Sequence, residues 1–495
     1  MEYILGLVEI MILISTLVGL VIVAKWIYKK MLNNTTSTPE ESDTLNEGNN
    51  MTDKNKVNNE LSIRFFIIGA IAILMFIPLA SVNSIVEERN TLYTKVLSNI
   101  ASQWGKPQVI SGPILVVPII EQYTITEKTK DTDGNEKIHN KVVYKNKNIM
   151  ILPKKLTKDI NLDEHYRYRS IYKSLVYEAD IDIAGEFTLP DFNKMSDNLH
   201  KVRYDKAYVL MGLSDTKAIQ NVSELNFNKN LYAFEPSVVL KLEGLKSGFH
   251  APIKVDLEQK EYTFNFNLKT KGSSYIRFSA FGKQTHIAVK SSWKHPSFQG
   301  DILPNTRKIT KDGFEATWNI PSLARNFPQV WIAEEHNYNL SQLLTGVDLY
   351  EPVFLYSLVS RSIKYGVLFI VLTFLTFLIF ELTQNSKLHY VQYGLIGLSL
   401  GLFFLTLLSL SEHMLFLYAY IIASSITLLS ISIYTWFNSK NIKQSLSILT
   451  MLVALYTILY SLLQLEDYAL LMGTGLLLVI LFILMWITRN LKVAK

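Results

Sequence analysis

The run Ile363–Leu382, IKYGVLFIVLTFLTFLIFEL, is followed after a short polar break by Val391–Leu410, VQYGLIGLSLGLFFLTLLSL. About 20 apolar residues in succession match the hydrocarbon core of a bilayer. Three further runs follow at Met414–Phe437, Leu446–Leu463 and Tyr468–Ile487. The breaks leave no room for a detour, so each helix must turn straight back against its predecessor. Residues 360–489 therefore predict a five-helix transmembrane bundle crossing in strict alternation.

Lys and Arg close to the spans mark the cytoplasmic face. The breaks Asn385-Ser386-Lys387 and Asn438–Lys443 are basic, as is the tail with Arg489, Lys492 and Lys495, whereas Ser411-Glu412-His413 and Glu466-Asp467 carry neither Lys nor Arg. Alternation then puts the C-terminal tail, 490–495, in the cytoplasm and the chain just before Arg361 outside. Arg361 and Lys364 run against this count.

Toward the N-terminus, a second apolar run at Ile63–Ile85 begins after Lys54, Lys56 and Arg64 and ends at Glu87-Glu88-Arg89, so it leads outward. Pro78 is expected to kink it, which a packed membrane helix tolerates. The first run, Ile4–Ala24, is broken by Glu9 and followed by Lys25, Lys29 and Lys30. It has neither the preceding charge nor the cleavage site of a secretory signal and reads as a retained helix with its N-terminus outside. Between the two, the polar residues 31–61 cannot offset their own ordering entropy and read as a disordered cytoplasmic linker. The expected order is a membrane helix within 1–30, the linker 31–61, a second helix at 62–86, an extracytoplasmic domain at 87–359, the bundle 360–489 and the tail.

With 495 residues, 49% hydrophobic content and a mean hydropathy of +0.17, the chain mixes a membrane part with a soluble part. Its net charge of +6 follows from topology, and no nucleic-acid partner is expected. The absence of cysteine excludes disulfides, thiol catalysis and cysteine metal sites.

Glu87–Trp104 keeps helical spacing through Leu92, Val96, Leu97 and Ile100, and Gly105-Lys106-Pro107 ends it. Beyond that point the period becomes two. Tyr177, Ala179, Ile181 and Ile183 alternate with Glu178, Asp180 and Asp182, and Tyr262, Phe264, Phe266 and Leu268 alternate with Thr263, Asn265, Asn267 and Lys269. Such alternation fits strands with one buried and one wet face. Further candidates are Ile114–Ile120, Lys141–Ile151, Tyr208–Gly212, Ser274–Phe281 and His286–Trp293, with turns expected at Asp133-Gly134 and Lys271-Gly272. The fold class is thus a polytopic α-helical membrane protein with a large inserted all-β domain, sandwich-like and expected to be antiparallel.

Within that domain lies Trp293-Lys294-His295-Pro296-Ser297-Phe298-Gln299-Gly300-Asp301-Ile302-Leu303-Pro304, followed by Gly313-Phe314-Glu315-Ala316-Thr317-Trp318. At these residues the chain resembles the CreD family of bacterial inner membrane proteins, with further likeness at Ser111-Gly112-Pro113, Phe380-Glu381, Leu388-His389, Leu410-Ser411-Glu412-His413 and Thr488-Arg489-Asn490. The resemblance runs from about Ser62 to Asn490, so the first helix and the linker lie outside it. It implies a role in cell-envelope integrity or envelope stress response, tied to tolerance of toxins that act on the envelope and to a two-component regulon. No molecular activity comes with it.

Taken by their chemistry, His295, Ser297 and Asp301 supply a base, a nucleophile and an orienting carboxylate, as a hydrolase would need. Their spacing is not that of a nucleophile elbow, and Pro296 with Gly300-Asp301 also suits a structured turn between strands. Zinc at His295 lacks a second ligand at the right spacing. In the bundle, Glu381, His389, Glu412, His413 and Arg489 fall at helix ends, where interfacial caps and anchors are the expected use rather than a mid-membrane ion path. No enzyme activity and no cofactor is expected. The partners expected are the lipid bilayer and an envelope component or protein. The competing reading is a membrane-bound enzyme or transporter acting on envelope lipid or glycan.

Overall fold

The computed structural model describes residues 63–464 except 131–135, 238–239, 241, 257, 350–354 and 385–387, together with isolated positions between 471 and 485. The apolar run at Ile4–Ala24, the linker, the turn at Asp133-Gly134, most of the run at Tyr468–Ile487 and Arg489 lie outside the described residues. Two compact units emerge, one holding residues up to Leu92 and from Val353 onward, the other spanning Tyr93–Pro352.

Five described helices are long and apolar enough to cross a membrane: α1 (Ile63–Trp104), α2 (Leu355–Gln384), α3 (Tyr390–Ser411), α4 (Phe416–Ser439) and α5 (Ile442–Gln464). The expected extension past Glu87 is present, because α1 runs for 42 residues before Gly105 closes it with an N–H bond to Ala101 O of 2.9 Å. Its regular helix is interrupted at Met75, one turn before Pro78, whose ring removes a donor and crowds the preceding turn. Small and hydroxylated residues let α4 and α5 approach, and Ser445 Oγ donates to Ser432 O at 2.7 Å. An aromatic cluster of Phe403, Tyr420 and Tyr456 fills the space beside them, with Tyr420 Oη donating to Tyr456 O at 2.6 Å.

The second unit is two sheets around one core. In chain order the strands are β1 (Gln108–Lys130), β2 (Glu136–Ile151), β3 (Lys155–Arg169), β4 (Tyr172–Thr188), β5 (Leu199–Val202) and β6 (Tyr208–Leu213). Next come β7 (Ile219–Val222), β8 (Leu225–Phe227), β9 (Asn230–Tyr232), β10 (Glu235–Pro236), β11 (Gly248–Pro252), β12 (Glu261–Ser273) and β13 (Tyr275–Ser279). The last are β14 (Gln284–Ser291), β15 (Pro296–Gly300), β16 (Thr306–Thr310), β17 (Gly313–Pro321), β18 (Val330–Ile332) and β19 (Leu344–Leu349). One sheet runs β10-β11-β6-β1-β13-β19-β15 and the other β16-β17-β14-β3-β4-β12-β8-β9, the remaining strands pairing off these paths. Ile110, Leu115, Met211, Phe278 and Val347 from the first sheet and Ile160, Ile181, Phe264, Ile287 and Trp318 from the second belong to one continuous core.

Two expectations change. The sheets are mixed rather than purely antiparallel, because β1 lies parallel to β13 and β3 parallel to β14. Those partners are far apart in the chain and meet only after it has crossed between sheets, which frees their relative direction from the hairpin rule. Lys271-Gly272 is not a turn but part of β12, and the glycine makes room for a neighbour: a Cβ there would lie 2.2 Å from the Tyr177 phenol.

Candidate functional site

The stretch Trp293–Pro304 forms the corner where the chain leaves one sheet for the other. β14 ends at Ser291, and Glu164 on neighbouring β3 accepts from both Ser291 Oγ at 2.8 Å and Ser292 Oγ at 2.7 Å. Trp293 Nε1 donates to His295 O at 3.0 Å, and its ring meets those of Tyr166 and His295 edge-on. Pro296–Gly300 is itself β15, an edge strand paired with β19, where a proline costs no ladder bond. Phe298 points inward against Phe314 and Trp318, with centroids 5.6 and 6.0 Å away.

At Gly300 the backbone turns with φ +119°, and a side chain would collide with Leu344 O. Asp301 then closes the turn: its N–H donates to Leu344 O at 2.7 Å and its Oδ2 accepts from Leu344 N at 2.8 Å. Ile302 O accepts from Trp318 Nε1 at 3.1 Å and from Thr345 Oγ1 at 2.6 Å, so it ties β17 of one sheet to β19 of the other. After Pro304 the chain enters β16, the edge of the second sheet. The residues that suggested hydrolysis are thus occupied separately. Asp301 holds a backbone amide, Ser297 Oγ accepts from Gln299 Nε2 at 3.0 Å, and the exposed His295 ring stands against Trp293. Among the described residues, no group of three or more His, Asp or Glu could hold a metal ion.

In the membrane unit the carboxylates are arranged as two clasps on α1. Glu381, in the last turn of α2, is buried and forms an ion pair with Arg64, while its Oε2 accepts from Tyr393 Oη of α3 at 3.0 Å. Arg64 also lies over the Tyr390 ring, 5.8 Å from its centroid. Glu412, at the end of α3, accepts from Tyr356 Oη of α2 at 3.0 Å and faces Arg89 Nε at 3.9 Å. The two arginines are 25 residues apart on α1, about 37 Å of helix axis. That exceeds a hydrocarbon core of ~30 Å and falls short of ~40 Å with headgroups.

His389 caps α3, its Nδ1 accepting from Val391 N at 3.3 Å while Gln392 Oε1 accepts from His389 N at 2.9 Å. His413 is exposed just past the other end of that helix, where its N–H bonds to Leu410 O. Helix-end placement therefore holds for Glu381, His389, Glu412 and His413. Glu381 departs from the expectation that solvent or headgroups reach it, with a side chain only 5% exposed. Its partner lies 317 residues earlier, beyond the reach of any local pattern.

The sequence profile described as "Inner membrane protein CreD" matches residues 60–494. The curated "Inner membrane protein CreD" of Escherichia coli (strain K12) is 30% identical over 425 residues, covering 85% of this chain and 91% of that protein. Among solved structures, the M1 zinc metallopeptidase of Deinococcus radiodurans has a TM-score of 0.16 at 6% identity, covering 34% of this chain and 38% of the peptidase. A mutant of it scores 0.17 at 7% identity. A likeness at that level carries neither fold nor activity. The long matches from the start of α1 to the last residues are what decide the matter, and the chain belongs to the CreD family of inner membrane proteins.

Proposed function

We propose that this protein is a non-enzymatic envelope protein. Its β-rich unit stands on the outer side of the inner membrane, its C-terminus lies in the cytoplasm, and it supports envelope integrity under stress. The observation carrying this reading is the use of the Trp293–Pro304 corner: Asp301 is spent on the Leu344 amide, Ser297 Oγ accepts from Gln299, and the exposed His295 ring stands against Trp293, so the three are engaged separately. The clasped carboxylates Glu381 and Glu412 favour the same reading, since both are spent on arginines of α1. The outward placement rests on the basic breaks described above.

The test is complementation of a strain lacking the protein, challenged with an envelope-acting toxin, using His295→Ala, Ser297→Ala and Asp301→Ala with protein level measured in parallel. Protection that falls only as far as abundance falls supports the structural reading. Normal abundance with lost protection contradicts it.

One feature favours an activity on envelope lipid or glycan instead. A solvent-open recess of about 410 Å³ beside the corner is lined by Lys290, Ser292, Lys308 and Thr310 together with Asp312 and Glu315; Glu315 pairs with Lys290 at 3.3 Å, which leaves Lys308 and the hydroxyls to meet an anionic or hydroxylated ligand. Lys308→Glu should abolish protection without lowering abundance if that recess is a binding site.

A further inference from the structure

Lys158 occupies an inward position of β3, between Leu156 and Ile160, and is fully buried. Its register neighbours are Ile183 on β4 and Ile287 on β14. The side chain crosses the sandwich, and Nζ donates to Ser279 O at 3.2 Å and Ile110 O at 3.4 Å, with the Phe278 ring centroid 5.7 Å away. Those acceptors sit where β1 leaves β13 and bulges between Ser111 and Ile114, and there Ser279 Oγ also accepts from Gly112 N at 3.2 Å. A buried lysine is ordinarily paired with a carboxylate. Here both acceptors are neutral.

We propose that the Lys158 amine makes the β-sandwich a proton-responsive element, in which the junction of β1 with β13 is held more tightly when the amine is neutral than when it is charged. The proposal does not depend on which side of the membrane the domain occupies.

The surroundings supply no compensating charge. Asp159 of β3, Asp182 of β4 and His286 of β14 lie on the opposite, outward face. Inside the core, the phenols of Tyr177, Tyr208 and Tyr262 are all pushed up by burial and stay neutral. Glu121 is engaged by Lys147, and buried Arg325 adds a second cation, bonded to Phe281 O. Burial accordingly brings the Lys158 amine down to about 7 from its ordinary 10.5. A lysine lowered on folding takes up a proton whenever the site opens between those two values, so opening becomes easier as pH falls through that window and changes no further with this group below it.

The experiment is hydrogen exchange of the purified full chain at pH 7, 8 and 9, corrected for intrinsic exchange and read on peptides covering Ile110–Gly112 and Phe278–Ala280. The opening constant should fall about fivefold from pH 7 to 8 and about ninefold from pH 8 to 9 in the wild type relative to Lys158→Met. Equal pH profiles in the two proteins overturn the proposal. Should Lys158→Met not accumulate, side-chain NMR of the wild type labelled at lysine decides. One amine titrating near neutrality supports the proposal, and all lysines titrating near their ordinary value overturn it.

Discussion

Arg64→Ala is expected to cost the membrane unit about 3 kcal/mol, near the lower end of the ~3–5 kcal/mol for breaking one side of a buried ion pair. The lower end applies because Arg64 is 20% exposed while Glu381 is 5% exposed, and because Tyr393 still donates to the stranded carboxylate. Such a loss is a change of roughly 150-fold in the unfolding equilibrium. Removing both charges should be far milder: Arg64→Met with Glu381→Met is expected within about 1 kcal/mol of wild type, since no charge remains stranded. Exchanging them, Arg64→Glu with Glu381→Arg, should recover part of the loss. Reversible unfolding in mixed micelles with rising SDS fraction, followed by helical circular dichroism, measures all four proteins. A loss under about 0.5 kcal/mol for Arg64→Ala, or a double variant no better than the single, would refute the clasp.

Trp318→Ala empties a fully buried site and removes the Nε1 bond to Ile302 O, so it should cost about 3–5 kcal/mol in urea unfolding of the β-rich unit, whereas exposed His295→Ala should cost under about 0.5 kcal/mol. Gly272→Val should lower the same midpoint sharply, because the new side chain collides with the Tyr177 phenol, whose hydroxyl donates to Tyr275 O. For Glu121, burial works to raise the carboxyl, but hydrogen bonds from Lys147, Ser196 and Tyr123 outweigh it and hold it below 4.5. A carboxylate lowered on folding contributes stability above 4.5 that is lost as pH falls through its folded value, so the stability gap between wild type and Glu121→Gln should shrink from pH 7 to pH 3.

How much of this was legible depends on the range of each interaction. Hydrocarbon-length runs are local, and α2 to α5 fall within a few residues of the expected spans apart from the earlier start of α2 at Leu355. Clean alternation revealed β4 and β12. It failed at β3, where Lys158 takes a core position between Leu156 and Ile160 and makes a buried strand read as polar. Gly272 misled in the opposite way, since a glycine beside a charged residue usually signals a turn, and only the Tyr177 ring on the paired strand explains it. The Trp293–Pro304 stretch was recognisable as distinctive, but its purpose depends on Leu344, Thr345 and Trp318, which no local spacing connects to it. The clasp at Glu381 needed α1, far away in the chain.

The most direct test of the outward β-rich unit uses the absence of native cysteine. Lys294→Cys, at an exposed position of the corner, and Lys440→Cys, in the basic break after α4, are treated in intact cells with a membrane-impermeant maleimide. The proposed topology predicts labelling at 294 without permeabilisation and at 440 only after it. Labelling at 440 in intact cells, with 294 protected until the membrane is opened, would contradict it.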